Sequence, residues 1–427
     1  MDILENWKVE SNDGWTINID HPLKDESVLC NELYSLLTST KVLRKLDLTN
    51  CSIGRSLPEG TAKKSSAIAT IGTIMQAGNT NLSRLSLGRN IISEVDFQSL
   101  IEGIKKHKKS IKELYLHECG LTKTMIEKVL WTLMEKNPEQ VICLDISTET
   151  KNMMIDPEIV SKIVSHFRRL EILRMRGHDL IGLKYRFDLE NSHLRELDIS
   201  GSPMNTDTVS RLCRWMQTPA FNGIEALHLS GCGLNGRHVY ELLCSISQSG
   251  NRQMHLNLSN NPIMKEVMHL PKLHSAILQG EGPCSISFAG IEWDDSTLRE
   301  FIDCLRDNQT ISHIILSDIK LKDTDKISED TVRMLTSLFE RNTCIKEIEL
   351  NFKENKVTRS HYSQTCIKPL FTGALVQALY GLRHNYTLQY LDISGLGMED
   401  AGAMALARVL RTNRTLQSII IDDNNVR

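Results

Sequence analysis

The sequence predicts an α/β solenoid, a horseshoe with parallel strands on its concave face and helices on its convex face. An eleven-residue frame, with Leu or Ile favoured at positions 1, 4, 6 and 11 and Asn or Cys at position 9, returns thirteen times between Leu43 and Val426. Six of the twelve intervals between copies are 28 to 30 residues long, and the intervening residues follow helical spacing. A chain with such a period stacks strand–helix units on one another.

Each frame predicts a short strand whose alternating apolar side chains point to one face, where the next repeat covers them. This period is that of the long class of leucine-rich repeat, in which each strand is followed by a helix. The copies at Val141, Gln253, Leu273 and Ile345 are degraded at one or more positions. The predicted starts are Leu43, Leu82, Ile111, Val141, Leu170, Leu194, Ile224, Gln253, Leu273, Ile311, Ile345, Leu388 and Leu416.

At the ninth position of the frame, an Asn amide or a Cys thiol lies under the turn that leaves the strand. There it can satisfy backbone groups that the stack buries. This structural role is predicted for Asn90, Asn261, Asn424, Cys51, Cys119 and Cys232.

Between the strands, apolar residues recur at helical spacing, as in Ile126, Val129, Leu130 and Leu133. A helix is about 10 Å wide, whereas paired strands lie about 4.8 Å apart, so the predicted stack bends with its strands inside.

Composition favours one continuous globular body. The chain has 427 residues, 41% of them hydrophobic, and a formal net charge of −3, which demands neither a nucleic acid nor a membrane partner. We predict an N-terminal cap at residues 1–40 and a leucine-rich repeat domain at residues 41–427. Inserted loops near 52–66 and 351–369 interrupt the repeats, either as surface slack or as binding loops.

The predicted compartment is the cytoplasm. The N-terminus shows no basic stretch followed by an apolar run, and no window approaches 18 uninterrupted apolar residues. The eleven cysteines form no Cys-x-x-Cys pair, which favours reduced thiols. The Asn-x-Thr sequons at Asn308, Asn385 and Asn413 are interpreted as accidental, because glycosylation requires secretion.

The sequence shows no recognisable motif for catalysis, a cofactor or a metal ion, so the chain is predicted not to be an enzyme and to need no cofactor. Residues 60–65 resemble a phosphate loop but lack its paired glycines. His117, Glu118 and Cys119 are adjacent on a strand, so their side chains alternate between faces and cannot converge on a metal ion.

The concave wall is the predicted surface for a protein partner. Its central column is predicted as Asp47, Ser86, Tyr115, Asp145, Arg174, Asp198, His228, Asn257, Ile277, Ile315, Glu349, Asp392 and Ile420. Its candidate binding residues are Tyr115, His117, Asp145, Arg174, Arg176, Asp198, His228, Glu349 and Asp392. These charges either form a ladder of ion pairs across repeats or, with acidic Glu113, Glu196, Glu347 and Glu349, complement a basic partner.

A basic run, Lys105, Lys106, His107, Lys108 and Lys109, also allows two interpretations. It lies at the end of a predicted helix, where cations are favoured by the helix dipole. Alternatively, the four lysines meet acidic lipid. Aromatic residues are not interleaved with the lysines, so nucleic acid is not a predicted partner.

A family resemblance enters at the last two repeats, which include Leu388-Gln389-Tyr390-Leu391-Asp392-Ile393-Ser394-Gly395-Leu396 and the segment from Leu416 to Asn425. These repeats resemble the ribonuclease-inhibitor type, and their residue pattern is similar to that of the CARMIL family of actin-capping-protein regulators. The runs Ile111–Ser147 and Leu194–Ile263 are similar in order and spacing. The resemblance implies a non-catalytic interaction scaffold that regulates actin filament capping and assembly.

The resemblance also implies actin-regulatory partners and a homodimer formed through the C-terminal end, where no helix follows the last predicted strand at 416–421. CARMIL proteins carry a pleckstrin-homology domain and a capping-protein-binding tail that are not visible in this chain. Two alternatives stay open, a GTPase-activating protein of the Ran GTPase-activating type and the sensor repeats of a NOD-like receptor, because both use similar repeats.

Overall fold

The computed structural model describes residues 8–11, 14–19, 26–39, 43–54, 66–77, 81–150, 153–179, 189–322, 327–352 and 374–426. The chain forms two compact units, Met1–Pro203 and Met204–Arg427. Most of both predicted inserted loops, 52–66 and 351–369, lies outside the described residues.

Unit 1 alternates short strands with helices, as the sequence predicts. The hairpin β1–β2 is antiparallel, β2 pairs in parallel with β3, and every following pair up to β8 is parallel. The predicted cap thus contains this hairpin and the first helix. Its strands are β1 Lys8–Ser11, β2 Gly14–Asn18, β3 Leu43–Asp47, β4 Arg84–Ser86, β5 Glu113–Tyr115, β6 Cys143–Asp145, β7 Ile172–Arg174 and β8 Glu196–Asp198. Its helices are α1 Glu26–Ser39, α2 Ala67–Gln76, α3 Glu94–Lys106, α4 Lys123–Lys136 and α5 Pro157–His166.

Unit 2 repeats the same α/β plan, with β9, β10, β11, β13, β15, β16 and β17 paired in parallel and β12–β14 as a separate short parallel pair. Its strands are β9 Ala226–His228, β10 His255–Asn257, β11 Ser285–Ser287, β12 Glu292–Trp293, β13 His313–Ile315, β14 Lys320–Leu321, β15 Glu347–Glu349, β16 Tyr390–Asp392 and β17 Ser418–Ile420. Its helices are α6 Thr206–Met216, α7 Gly236–Ser249, α8 Leu270–Leu278, α9 Asp295–Asp307, α10 Glu329–Arg341, α11 Ala374–Tyr380 and α12 Glu399–Leu410.

The predicted copy at Leu273 is wrong, because this residue lies in α8 with its side chain buried. The strand of that repeat is β11, whose frame begins at Pro283 and restores intervals of 30 and 28 residues. Proline at the first position, Phe288 at the sixth and Ile291 at the ninth depart from the frame and concealed the strand. Apolar helix residues in α8 imitated the frame because leucine-rich periodicity over a short window fits either structure.

The ninth-position residues have the predicted structural role. The Asn90 amide donates to the Leu48 and Leu87 carbonyls (2.7 and 2.9 Å) and accepts from the Ile53 N–H (2.9 Å). Asn261 and Asn424 bond in the same way across their own repeats. In the repeats with cysteine, a thiol replaces the amide as donor, and Cys119 donates to the Leu87 carbonyl at 3.0 Å. Burial raises the pKa of the Cys119 thiol to about 12, so it stays protonated.

A second asparagine ladder, which the repeat frame did not predict, connects the helix ends of unit 2. Each buried amide donates to a carbonyl of the preceding repeat and accepts from backbone N–H groups two and three residues later. The distances to those N–H groups are 2.7 to 2.9 Å. The ladder residues are Asn308, Asn342, Asn385 and Asn413. The apparent sequons are therefore components of the repeat, since three of these asparagines begin them.

Candidate protein-binding face

The strand registers place the predicted central column side by side in each unit. Unit 1 aligns Asp47, Ser86, Tyr115, Asp145, Arg174 and Asp198. Unit 2 aligns His228, Asn257, Ser287, Ile315, Glu349, Asp392 and Ile420. Ser287 replaces the predicted Ile277, which is buried in α8. We call this side of each unit its strand face.

An ion-pair ladder crosses the last strands of unit 1, as one of the two interpretations predicted. Arg174 reaches Glu196 with two hydrogen bonds, Nε to Oε1 at 2.6 Å and Nη2 to Oε2 at 3.1 Å. Its Nη1 lies 3.9 Å from Asp145 Oδ2. The hydrogen bonds to Glu196 raise the pKa of Arg174 further, so the guanidinium stays charged. Bidentate pairing of this kind fixes the side chain in one orientation.

Arg176 forms the next step of the ladder, with Nε 2.5 Å from Asp198 Oδ2. Arg176 is 52% exposed, whereas the Asp198 side chain is 4% exposed. The other oxygen of Asp198 accepts the Ser200 N–H at 3.0 Å. Arg176 therefore presents the accessible charge of this pair.

Three predicted binding residues are too buried to offer their carboxylates to a partner. Asp145, Asp198 and Asp392 are 4%, 3% and 1% exposed. Each accepts the backbone N–H two residues later, at Ser147, Ser200 and Ser394. The column position was predicted correctly, but the turn after each strand draws the short aspartate side chain back onto the backbone.

Asp145 also lies next to His117, whose Nδ1 is 3.4 Å from Asp145 Oδ2. Burial alone favours the protonated carboxyl, but the approach of His117 and the hydrogen bond from Ser147 outweigh it. The pKa of Asp145 is therefore below its usual value. Space for the imidazole comes from Gly88, where an added Cβ would lie 2.1 Å from the His117 ring.

Tyr115 is half-buried between charged neighbours. Its hydroxyl donates to Glu113 Oε2 at 3.3 Å, and the Arg84 guanidinium lies 4.9 Å from the ring centroid. Arg84 also pairs with Glu113 at 3.2 Å. Burial, assisted by the neighbouring Cys143 thiol, raises the pKa of Tyr115, so the phenol remains a neutral donor. Glu113, like Glu196, is thus occupied by an arginine of its own chain.

A row of histidines occupies the strand face of unit 2. The rings of His228 and His255 are 5.8 Å apart, and those of His255 and His313 are 6.3 Å apart. Ser285 Oγ lies between the last two, 2.8 Å from His255 Nδ1 and 3.1 Å from His313 Nδ1. Burial, together with the two neighbouring histidines, lowers the pKa of His255 to about 4.

The sequence analysis predicted only His228 of this row. His255, Ser285 and His313 share one register column, two residues before the predicted one. Ser285 was not predicted because the frame of this repeat was started at Leu273 and not at Pro283. Glu349 Oε1 lies 3.6 Å from His313 Nε2, so this predicted residue contacts the row.

The described residues contain no group of three or more His, Cys, Asp or Glu side chains placed to hold a metal ion. Among the helices of the described ranges, none is both long and apolar enough to cross a bilayer.

Two family models for the leucine-rich repeat match the chain, at residues 42–63 and 384–407. The chain is 25% identical over 240 residues to "Protein CARMIL" of Dictyostelium discoideum, covering 55% of this chain and 21% of that protein. It is 29% identical over 134 residues to the human "Capping protein, Arp2/3 and myosin-I linker protein 3", covering 31% and 8%. It is 24% identical over 230 residues to the human "NACHT, LRR and PYD domains-containing protein 14", covering 52% and 18%.

The matched stretches make up about a fifth or less of each relative's length. The repeat models and the repeated strand–helix units agree on the architecture. The chain is therefore a leucine-rich repeat protein, an α/β solenoid whose repeats resemble those of CARMIL proteins.

Proposed function

We propose that this protein is a non-catalytic scaffold for protein–protein interaction, and that it regulates actin filament capping and assembly. The observation that carries the proposal is the strand face of unit 1, where a hydrogen bond holds Tyr115 and ion pairs hold Arg174 and Arg176, yet all three stay partly exposed. Arginine and tyrosine are common anchors of protein interfaces, and a preordered side chain loses less entropy on binding. Similarity to CARMIL and to the capping protein linker supports the proposed regulation of actin filaments.

The first test is capture of partners from cytosolic extract with the intact chain as bait, read by mass spectrometry. We expect actin, capping protein or myosin I among the captured proteins, and at least tenfold less of them with a Tyr115→Ala/Arg174→Ala variant. Truncation of a central anchor typically costs about 2 kcal/mol or more.

The matched control is Tyr386→Ala/Arg414→Ala, which removes the same two residue types from exposed positions of unit 2. Its capture should equal that of the wild type. Equal capture by all three baits would contradict use of the unit 1 strand face. Capture of a small GTPase, with faster GTP hydrolysis when the purified chain is added to Ran, would replace the scaffold with the GTPase-activating alternative.

Three finer predictions accompany the proposal. We place the protein in the cytoplasm, expect a homodimer through its C-terminal end, and expect acidic lipid at Lys105, Lys106, Lys108 and Lys109. Sedimentation equilibrium of the purified chain tests the dimer directly, because a monomer mass at micromolar concentration would contradict it.

A further inference from the structure

One edge of unit 1 is strongly basic. It consists of the segments through which the chain passes from each helix into the next strand. We call it the basic edge, and it comprises Arg44 and segments 105–112, 135–142, 166–171 and 190–195. Together with Arg44, these segments hold ten lysines and arginines against four glutamates, although the whole chain has a net charge of −3.

Backbone hydrogen bonds join these segments into one continuous edge. The Ser83 N–H donates to the Arg44 carbonyl at 2.8 Å, and the Lys112 N–H donates to Ser83 at 2.7 Å. The same backbone hydrogen bonds continue from Lys112 through Glu171 to Arg195, at 2.7 to 2.8 Å. Since paired strands lie about 4.8 Å apart, the five intervals from β3 to β8 spread the charges over roughly 24 Å.

Most of these cations are not neutralised within the described chain. Lys105 and Lys106 lie 3.7 and 3.8 Å from Glu102, and Arg195 lies 3.6 Å from Glu171. Six others are exposed and pair with no carboxylate of the described residues, namely Arg44, Lys108, Lys109, Lys112, Arg168 and Arg169.

The helix dipole does not account for this charge. The carbonyls at the end of α3 are already occupied by Lys136, whose Nζ donates to Ile104 and Lys105 at 2.6 and 2.8 Å and also to His107. Unit 2 offers an internal comparison, because its chain also passes from a helix into each next strand. The segments before β9, β10, β11 and β13, at 217–225, 250–254, 279–284 and 306–312, hold two arginines and three carboxylates, whereas those before β15, β16 and β17, at 341–346, 381–389 and 411–417, hold five lysines and arginines and no carboxylate. A helix end in this fold therefore does not require a basic loop.

We propose that the basic edge docks unit 1 on the surface of an anionic phospholipid bilayer. The unpaired charges, three lysines and three arginines, are spread along an edge rather than gathered at one point, which suits a diffuse layer of headgroups better than one phosphate. The only Phe, Trp or Tyr of the edge is the buried Phe167, so bases of a single-stranded nucleic acid have no exposed ring of these three types on which to stack. The inference extends the lipid prediction for four lysines to the whole edge and is independent of the scaffold function.

The test is flotation of the purified full chain with vesicles of phosphatidylcholine alone and with 30% phosphatidylserine, at low and high salt. We expect binding to the anionic vesicles only, weakened by salt. Each cation that reaches the surface contributes about fivefold to affinity. Lys108→Glu/Lys109→Glu/Lys112→Glu and Arg168→Glu/Arg169→Glu should therefore each weaken binding at least tenfold, with unchanged circular dichroism and melting temperature.

Arg411→Glu/Arg414→Glu is the matched control, since it reverses two exposed charges at a helix end of unit 2. It should bind within twofold of the wild type, as should Tyr115→Ala/Arg174→Ala, which separates this inference from the scaffold proposal. Equal binding to neutral vesicles, equal losses in the control, or an unaffected Arg168→Glu/Arg169→Glu variant would each overturn the edge as a lipid surface. Tighter binding to a homopolymeric RNA than to the vesicles would overturn it in favour of nucleic acid.

Discussion

Replacing Asn342 by alanine should destabilise unit 2 by about 3 to 5 kcal/mol. This side chain is 4% exposed and connects two repeats. Its amide donates to the Leu305 and Asn308 carbonyls at 2.8 and 3.1 Å, and its oxygen accepts the Cys344 and Ile345 N–H groups at 2.8 and 2.7 Å. Alanine leaves two N–H groups and at least one buried carbonyl without this partner.

The magnitude follows from the number of groups left unsatisfied. Each buried donor or acceptor without a partner costs about 1 to 3 kcal/mol, and water entering the vacated space recovers part of this. Asn342→Asp should cost at least as much, because it keeps the acceptor but places a charged oxygen against carbonyl oxygens. The free energy of unfolding is measured by urea titration followed by circular dichroism. Repeat proteins can unfold in steps, so fluorescence should follow the same samples.

The matched control is Asn222→Ala, an exposed asparagine of the same unit. Its loss should stay within about 0.5 kcal/mol, as is usual for surface substitutions. A loss below about 1 kcal/mol for Asn342→Ala, equal to that of the control, would refute the view that the ladder holds the repeats together.

Three further predictions concern packing and protonation. Gly72→Ala should lower stability by about 1 to 3 kcal/mol in thermal melts, because its Cβ would lie 2.4 Å from the Ser99 carbonyl oxygen, and retention of the wild-type melting temperature would contradict this close helix contact. Gly88→Ala should cost under about 1 kcal/mol yet shift the NMR resonances of His117, because the flexible ring can move aside; unshifted resonances would show that the ring lies elsewhere. The lowered pKa of His255 means that its stabilising effect is complete above the unfolded value of 6.5 and is lost as pH falls towards about 4. The wild type should thus lose about 1 to 3 kcal/mol more than His255→Gln between pH 7 and 4.5 in urea titrations, and equal losses would contradict neutral burial.

Hydrophobic periodicity was sufficient to predict the repeat architecture and the parallel strands, and twelve of the thirteen strands that it predicted are present. It worked because the buried positions of each repeat are fixed by local geometry, with a period of two in strands and 3.6 in helices. It failed at β11, where Pro283 and Phe288 occupy positions that leucine usually marks, Ile291 replaces the usual Asn or Cys, and α8 supplied a false match.

Periodicity also predicted which residues lie on the strand face, but it did not predict how these residues are paired or how far they are buried. Glu113 and Glu196 are paired with arginines 29 and 22 residues away in sequence, and the carboxylate of Asp392 is turned onto its own backbone. Three asparagines of the ladder likewise match the glycosylation sequon in the sequence, and their structural role is visible only from their hydrogen bonds to the preceding repeat.

The sequence by itself determined that this protein is a stack of strand–helix repeats, which apolar strand positions are buried in nearly all of them, and which columns lie on the strand face. Only the tertiary structure decided which charges are neutralised, which carboxylates are hidden and where the unpaired cations gather. The physical reason is that burial follows from the local repeat, whereas each side chain finds its hydrogen bonds and counter-charges in a neighbouring repeat, about 30 residues distant along the chain.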